Sequence, residues 1–353
     1  MTTGVEVPTE AVRPQPPRAS RSQATIGDPV GAADRLRAGV AERIAHLLDD
    51  AAHPLADVYV GWHAAGDVAT CPARYRGQGP EGWGFPGWSA PLAAAAVGRA
   101  ALAHHLEEAD RSGRPPALPD PLPTIRRWMR ALRAPAGTGG GPPVERPPVG
   151  EWIAETWSDG DTATLTAVAA TAGRWLAGFV RVLGWPLPPQ LRLRKAYRPS
   201  AGSGGSWRPA SGSPVKVDMG ADAELGRRTG AGRFALVVHR VTTADDASLR
   251  DRAAFEATAG ALALGITPAA VLVTAGDTGD RARVTVDDEL LTRGSDLVVG
   301  VVRHRAIAVE RGFDPVDASP SPACRRCEHL AACPPGQAWI TGPGRWRGGL
   351  PVL

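Results

Sequence analysis

The four cysteines of this 353-residue chain are split one and three: Cys71 stands in the first quarter, and Cys324, Cys327 and Cys333 follow as C-x2-C-x5-C near the end. A two-residue spacer in a tight turn lets both thiolates of a pair face one inorganic centre, and Cys333 returns after a further turn of chain. Three thiolates need a fourth ligand, and Cys71 is the one cysteine left to supply it. If it does, the fold must bring early and late segments together. Two other readings stay open. His329 lies inside the triplet and would complete a local Cys3His zinc site without Cys71. Alternatively, some of the cysteines are buried apolar residues, as free cysteine often is. Four cysteines are too few for a disulfide scaffold, and a reducing compartment leaves them free for metal.

The chain is 43% hydrophobic, enough for a real core. No apolar run approaches the roughly 18 to 20 residues that span a bilayer, and the N-terminus lacks an apolar leader, so a cytoplasmic protein without a membrane partner is expected. Residues 1–30 carry Pro14, Pro16 and Pro17 among polar residues and read as a disordered tail. A helical part carrying Cys71 follows over 31–134, with helices expected at Ala32–Leu48, Pro91–Glu108 and Thr124–Arg133. Residues 135–149 read as a Pro/Gly linker.

From 150 to 317 the texture becomes helix plus sheet. Leu165, Val168, Ala172, Trp175, Leu176, Phe179 and Leu183 form one apolar stripe over Asp161–Leu183. Strands are expected at Gln190–Tyr197, Val215–Leu225, Phe234–Val241, Ala269–Thr274 and Ala282–Val286, with helices at Ser248–Leu264 and Asp288–Val309. That order predicts an α/β or α+β core sheet with helices packed on it. The cysteine cluster occupies 318–335, and 336–353 is a Gly/Pro-rich tail.

The cysteine arrangement resembles the iron-sulfur branch of the PD-(D/E)XK nucleases, the RecB-like exonuclease domains of AddB type and the CRISPR-associated exonucleases. Thr70-Cys71-Pro72-Ala73-Arg74-Tyr75 is similar to that family's C-P-x-x-Y run, and Pro322-Ala323-Cys324-Arg325-Arg326-Cys327 to its terminal segment. The resemblance implies a restriction-endonuclease-like mixed sheet flanked by helices. It also implies a 4Fe-4S cluster on Cys71, Cys324, Cys327 and Cys333, with zinc as the alternative. DNA would be the partner, in DNA repair or phage defence, beside a helicase or other ATPase.

The family's cleavage centre needs a strand-end acid, an acid-x-lysine on the next strand and a helix glutamate or histidine, which together hold Mg2+ or Mn2+. Asp222 stands in the first metal position, with Glu224 two residues on. The next strand reads Leu236-Val237-Val238-His239-Arg240, so valine replaces the second acid and His239 or Arg240 replaces lysine. Lysine occurs only at Lys195 and Lys216. Lys216 shares a face with Asp218, Asp222 and Glu224 on an unbroken strand, yet sits roughly 20 Å from Asp222 at about 3.3 Å per residue. His104 and His105 read as a partly exposed helix end.

Net charge is +4, which permits nucleic-acid contact without demanding it. Arg126, Arg130 and Arg133 fall on one helix face, and Arg192, Arg194, Lys195 and Arg198 crowd one strand; both groups suit phosphate contacts, with a solvated face as the plain alternative. Trp152, Trp157 and Trp175 sit on core helices, whereas Trp339 and Trp346 are candidate docking groups. Three functions follow as expectations. The first is a DNA-binding or DNA-processing protein with lost or weakened cleavage. The second is an active Mg2+- or Mn2+-dependent exonuclease using Asp222 and Glu224 with His239. The third is a zinc-stapled interaction protein that does not act on nucleic acid.

Overall fold

The computed structural model describes residues 26–56, 58–77, 90–131, 148–194, 205–226, 234–240, 246–276, 279, 281–321, 324–325 and 327–342. Most of the expected N-terminal tail and of the Pro/Gly linker, with Lys195, Arg133, Arg198 and Trp346, lies outside these residues; Pro29 and Val30, read as part of that tail, open the first helix instead.

Three of the long helices begin where an aspartate satisfies a free first-turn N–H group. Helix α1 (Pro29–Asp49) is capped by Asp28, which accepts from Gly31 N at 3.0 Å, and has proline in its first turn. Short β1 (Val58–Val60), α2 (Trp62–Thr70) and α3 (Pro72–Gly77) follow. Next come α4 (Ala90–Ser112), α5 (Pro121–Ala131), α6 (Pro148–Ser158) and α7 (Thr162–Leu183). Asp161 caps α7 through Thr164 N at 2.9 Å. The strands are β2 (Leu191–Leu193), β3 (Ser206–Trp207), β4 (Val215–Asp218), β5 (Ala223–Gly226) and β6 (Phe234–Arg240). Helix α8 (Asp246–Leu264), β7 (Ala270–Ala275), β8 (Arg281–Thr285), α9 (Asp288–Arg311) and α10 (Pro334–Thr341) complete the order. Asp287 caps α9 through Leu290 N, and Gly312, at φ 67°, ends it in a conformation that glycine adopts without strain.

The protein is mixed α/β with two sheets. The larger has the order β2-β5-β6-β7-β8; β6 and β7 run parallel across α8 and the other pairs are antiparallel. The smaller, β1-β4-β3, pairs β1 with β4 in parallel. Period-two alternation divides the larger sheet between two cores. Leu236, Val238, Val271 and Val273 pack with α1, α8 and α9, while Ala223, Val237 and Leu272 pack with α4, α5, α6 and α7. From Ala253 to Leu262 helix α8 is buried around its whole circumference, in keeping with the alanine-rich sequence of that stretch.

Three expectations need correction. The single strand over Val215–Leu225 is two strands in different sheets, because the chain turns through Met219-Gly220-Ala221-Asp222. Lys216 therefore shares a strand with Asp218 but not with Asp222 or Glu224. The early helical part also contributes a strand, β1, which is stable only because β4 pairs with it. Trp175 is fully buried as expected, whereas Trp157 is 41% exposed near the end of α6.

Candidate functional site

Cys71 lies at the junction of α2 and α3: its N–H donates to Asp67 O, and its carbonyl accepts from Tyr75 N. Cys333 is the N-cap of α10, with Pro334 in the first turn. Between them Cys324 and Cys327 sit in tight turns, with Cys327 N donating to Cys324 O at 3.1 Å and Cys333 N to Leu330 O at 3.1 Å. All four cysteines line one small pocket, with a cavity volume of about 20 Å3, together with Arg74, Phe313, Pro320, Leu330 and Gly336 among others. Cys71, Cys324 and Cys333 are buried and Cys327 is partly exposed.

Ser321 N donates to the Cys324 sulfur at 3.4 Å, the kind of N–H···S contact that suits a thiolate. At Gly336 an added Cβ would stand 3.2 Å from the Cys333 sulfur and 3.6 Å from that of Cys324, so both sulfurs border the same patch of α10. His329, the rival fourth ligand, does not line the pocket; its ring stacks on Phe313 at 4.8 Å and its Nε2 lies 3.3 Å from Glu328. Among the described residues no three His, Cys, Asp or Glu side chains are drawn tightly enough together for a single metal ion; the thiols border a shared space instead.

The second constellation surrounds the turn between β4 and β5. Asp222 is 4% exposed. Its Oδ1 accepts from Arg99 of α4 and its Oδ2 from His239 N at 2.7 Å. Asp218 accepts from the Tyr59 hydroxyl at 2.9 Å and stands 3.8 Å from Lys216. Glu256 of α8 accepts from Gly220 N at 2.8 Å and pairs with Arg252; burial pushes its carboxyl above the usual range, with Arg252 opposing. A Cβ at Gly220 would stand 2.8 Å from Glu256 Oε1, so a larger residue there would have to displace that carboxylate. Arg194 bonds to Met219 O at 2.6 Å. Burial, and then Arg99, lower its proton affinity, while Glu256, Glu224 and Asp218 oppose. Acids and arginines thus alternate through the cluster, each neutralising its neighbour.

Of the residues singled out in sequence, Asp222 and His239 are brought into direct contact. Glu224 is buried on β5 opposite Leu236 and Arg192. Arg240 ends β6. The His239 ring bonds Thr274 Oγ1 at 2.6 Å and lies edge-on to Trp175 and Phe179. Burial pushes it down to about 4, the nearby Asp222 acting against this. His104 pairs with Glu108 and His105 contacts Ala117 O, both away from the acids. Arg194, expected to face phosphate, turns inward to backbone carbonyls instead. Arg126 and Arg130 remain exposed on the outer side of α5.

Sequence reasoning missed Arg99, Arg252 and Glu256. Glu256 carried a signal, the one charged residue between Ala253 and Leu264 of α8, with Arg252 four residues before it. Arg99 carried none, since its partner lies 123 residues away.

No family model matches the chain, and no curated protein matches its sequence. Among the described residues no helix is long and apolar enough to cross a membrane.

Proposed function

We propose that this chain is a DNA-binding protein of the iron-sulfur PD-(D/E)XK kind, in which four thiolates hold a 4Fe-4S cluster and an internal ion-pair network stands in place of the cleavage centre. The carrying observation is the convergence of Cys71 with Cys324, Cys327 and Cys333 on one pocket. The residues present fit such a group: four sulfurs, an N–H donor to one of them, mainly neutral walls and, among the described lining residues, no carboxylate. When bound, the cluster supplies a cross-link between the α2–α3 junction and the segment preceding α10. Four thiolates also suit structural zinc, the second reading, and the turning of His329 toward Phe313 favours Cys71 as fourth ligand in either case.

The mixed sheet with helices on both faces supports kinship with the nuclease core. The argument against cleavage is chemical. Two-acid metal catalysis needs carboxylate oxygens open to the ion. Both oxygens of Asp222 are engaged by Arg99 and His239 N, and valines occupy the positions on β6 where the second acid belongs. A metal would have to displace a guanidinium. The exposed arginines of α5 offer phosphate contacts, and a helicase or other ATPase is the partner such a scaffold would serve.

The test is incubation with end-labelled single- and double-stranded DNA in Mn2+. Salt-sensitive retention without cleavage supports the proposal. Cleavage that vanishes in Asp222→Ala overturns it in favour of an active nuclease, and absence of retention favours a zinc-stapled interaction protein.

A further inference from the structure

The pocket that gathers the four cysteines is walled mainly by neutral groups: Phe313, Ala318, Ser319, Pro320, Leu330 and Gly336. Arg74 is the exception, the one lining residue among those described that is permanently charged. It stands three residues beyond Cys71, within the short helix α3 that follows it, and lines the same pocket. Its Nη1 lies 3.5 Å from Oδ1 of Asp67, a residue of the preceding helix, and the pair is only partly exposed. A guanidinium has five donors in a fixed fork, so a single long contact to Asp67 leaves capacity on its other edge.

Four thiolates around a divalent ion or a doubly charged cluster leave a net negative charge at the site. In a partly desolvated pocket that charge needs compensation, and a side chain already at the wall supplies it without moving a loop.

We infer that Arg74 is the charge partner of the four-thiolate centre, with Asp67 competing for its guanidinium. Arg74 is a positioning residue: it contacts no substrate and acts through the thiolates. The inference rests on the metal-centre reading proposed above.

Cobalt titration of the anaerobic, metal-free full-length chain tests it, because Co2+ bound to thiolates gives an intense charge-transfer absorption whether the resident group is a cluster or zinc. Arg74→Gln is expected to weaken Co2+ binding about tenfold, the low end of what outer-sphere partners contribute. Arg74→Lys restores much of it. Asp67→Asn, by removing the competitor, strengthens binding, a change of sign that mere damage to the fold would not produce. In chains reconstituted with Fe2+ and sulfide, the reduction midpoint falls in Arg74→Gln relative to wild type, because removing a nearby cation disfavours the more negative reduced state. If wild type and Arg74→Gln bind Co2+ equally, the role of Arg74 is overturned while the centre stands. If wild type gives no thiolate charge-transfer band, the centre itself is overturned and this inference with it.

Discussion

Arg99, in the middle of α4, donates to one oxygen of the Asp222 carboxylate while the backbone N–H of His239 donates to the other at 2.7 Å. The pair joins a helix of the first third of the chain to the turn between the two sheets, where both side chains are largely buried. Removing the cation leaves a carboxylate that water reaches poorly. Arg99→Ala is expected to cost about 3 kcal/mol, the low end for breaking a buried pair. Adding Asp222→Asn recovers part of that loss, because the buried charge goes with it. Urea denaturation of the two single variants and the double variant measures the coupling; additive losses would show that the pair is energetically idle.

Acid sensitivity follows from His239. Its folded value is pushed down to about 4, chiefly by burial, from 6.5. The unfolded chain therefore binds a proton that the folded chain refuses. This contribution is fully present above pH 6.5 and is lost as pH falls toward 4, a span of about 3 kcal/mol at most. Burial lowers His63 and His304 in the same direction, whereas the raised carboxyl of Glu256 acts with the opposite sign. His239→Gln should thus flatten, without abolishing, the loss of stability between pH 7 and pH 4.5 in urea titrations. An unchanged pH profile would place the sensitivity elsewhere.

The packing of α8 on α9 depends on Gly294. A Cβ there would run into the carbonyl of Ala254 and the hydroxyl of Thr258, and that hydroxyl already bonds Leu291 O at 3.2 Å. Because backbone cannot step aside as a flexible side chain can, Gly294→Ala is expected to cost about 2 to 3 kcal/mol. A melting temperature equal to that of wild type would contradict this close approach.

Gly336 gives a prediction that separates the metal pocket from general stability. A side chain at this position points at the sulfurs of Cys333 and Cys324. Gly336→Val should reduce metal uptake well beyond what its effect on urea unfolding of the metal-free chain accounts for, because the added side chain enters the space beside the two sulfurs. Full metal loading in this variant would mean that the sulfurs do not work together on that side.

Several long helices were legible from an apolar stripe at helical spacing: the stripe from Leu165 to Leu183 appears as read. Strands β6, β7 and β8 were legible as short β-branched runs. Helices α2 and α3 and strand β1 were not, since each is short and exists through its neighbours; β1 pairs with a strand that follows it by more than 150 residues. The break between β4 and β5 had only Gly220 as a local sign, and its cause is remote, the carboxylate of Glu256 on α8. The cysteines were the most legible part of the candidate site, because spacing alone suggested a shared centre and Cys71 does border the same pocket as the other three. The guanidinium of Arg99 was illegible, since nothing local to it names Asp222.

Metal analysis of the anaerobically purified wild-type chain beside Cys71→Ser bears most directly on whether thiolates from distant parts of the chain share one inorganic group. The expected result is iron with an equal amount of acid-labile sulfide in the wild type, a brown colour from sulfur-to-iron charge transfer, and loss of both in Cys71→Ser. Wild-type metal content that persists unchanged in Cys71→Ser, or a wild-type chain with no bound metal at all, would contradict it.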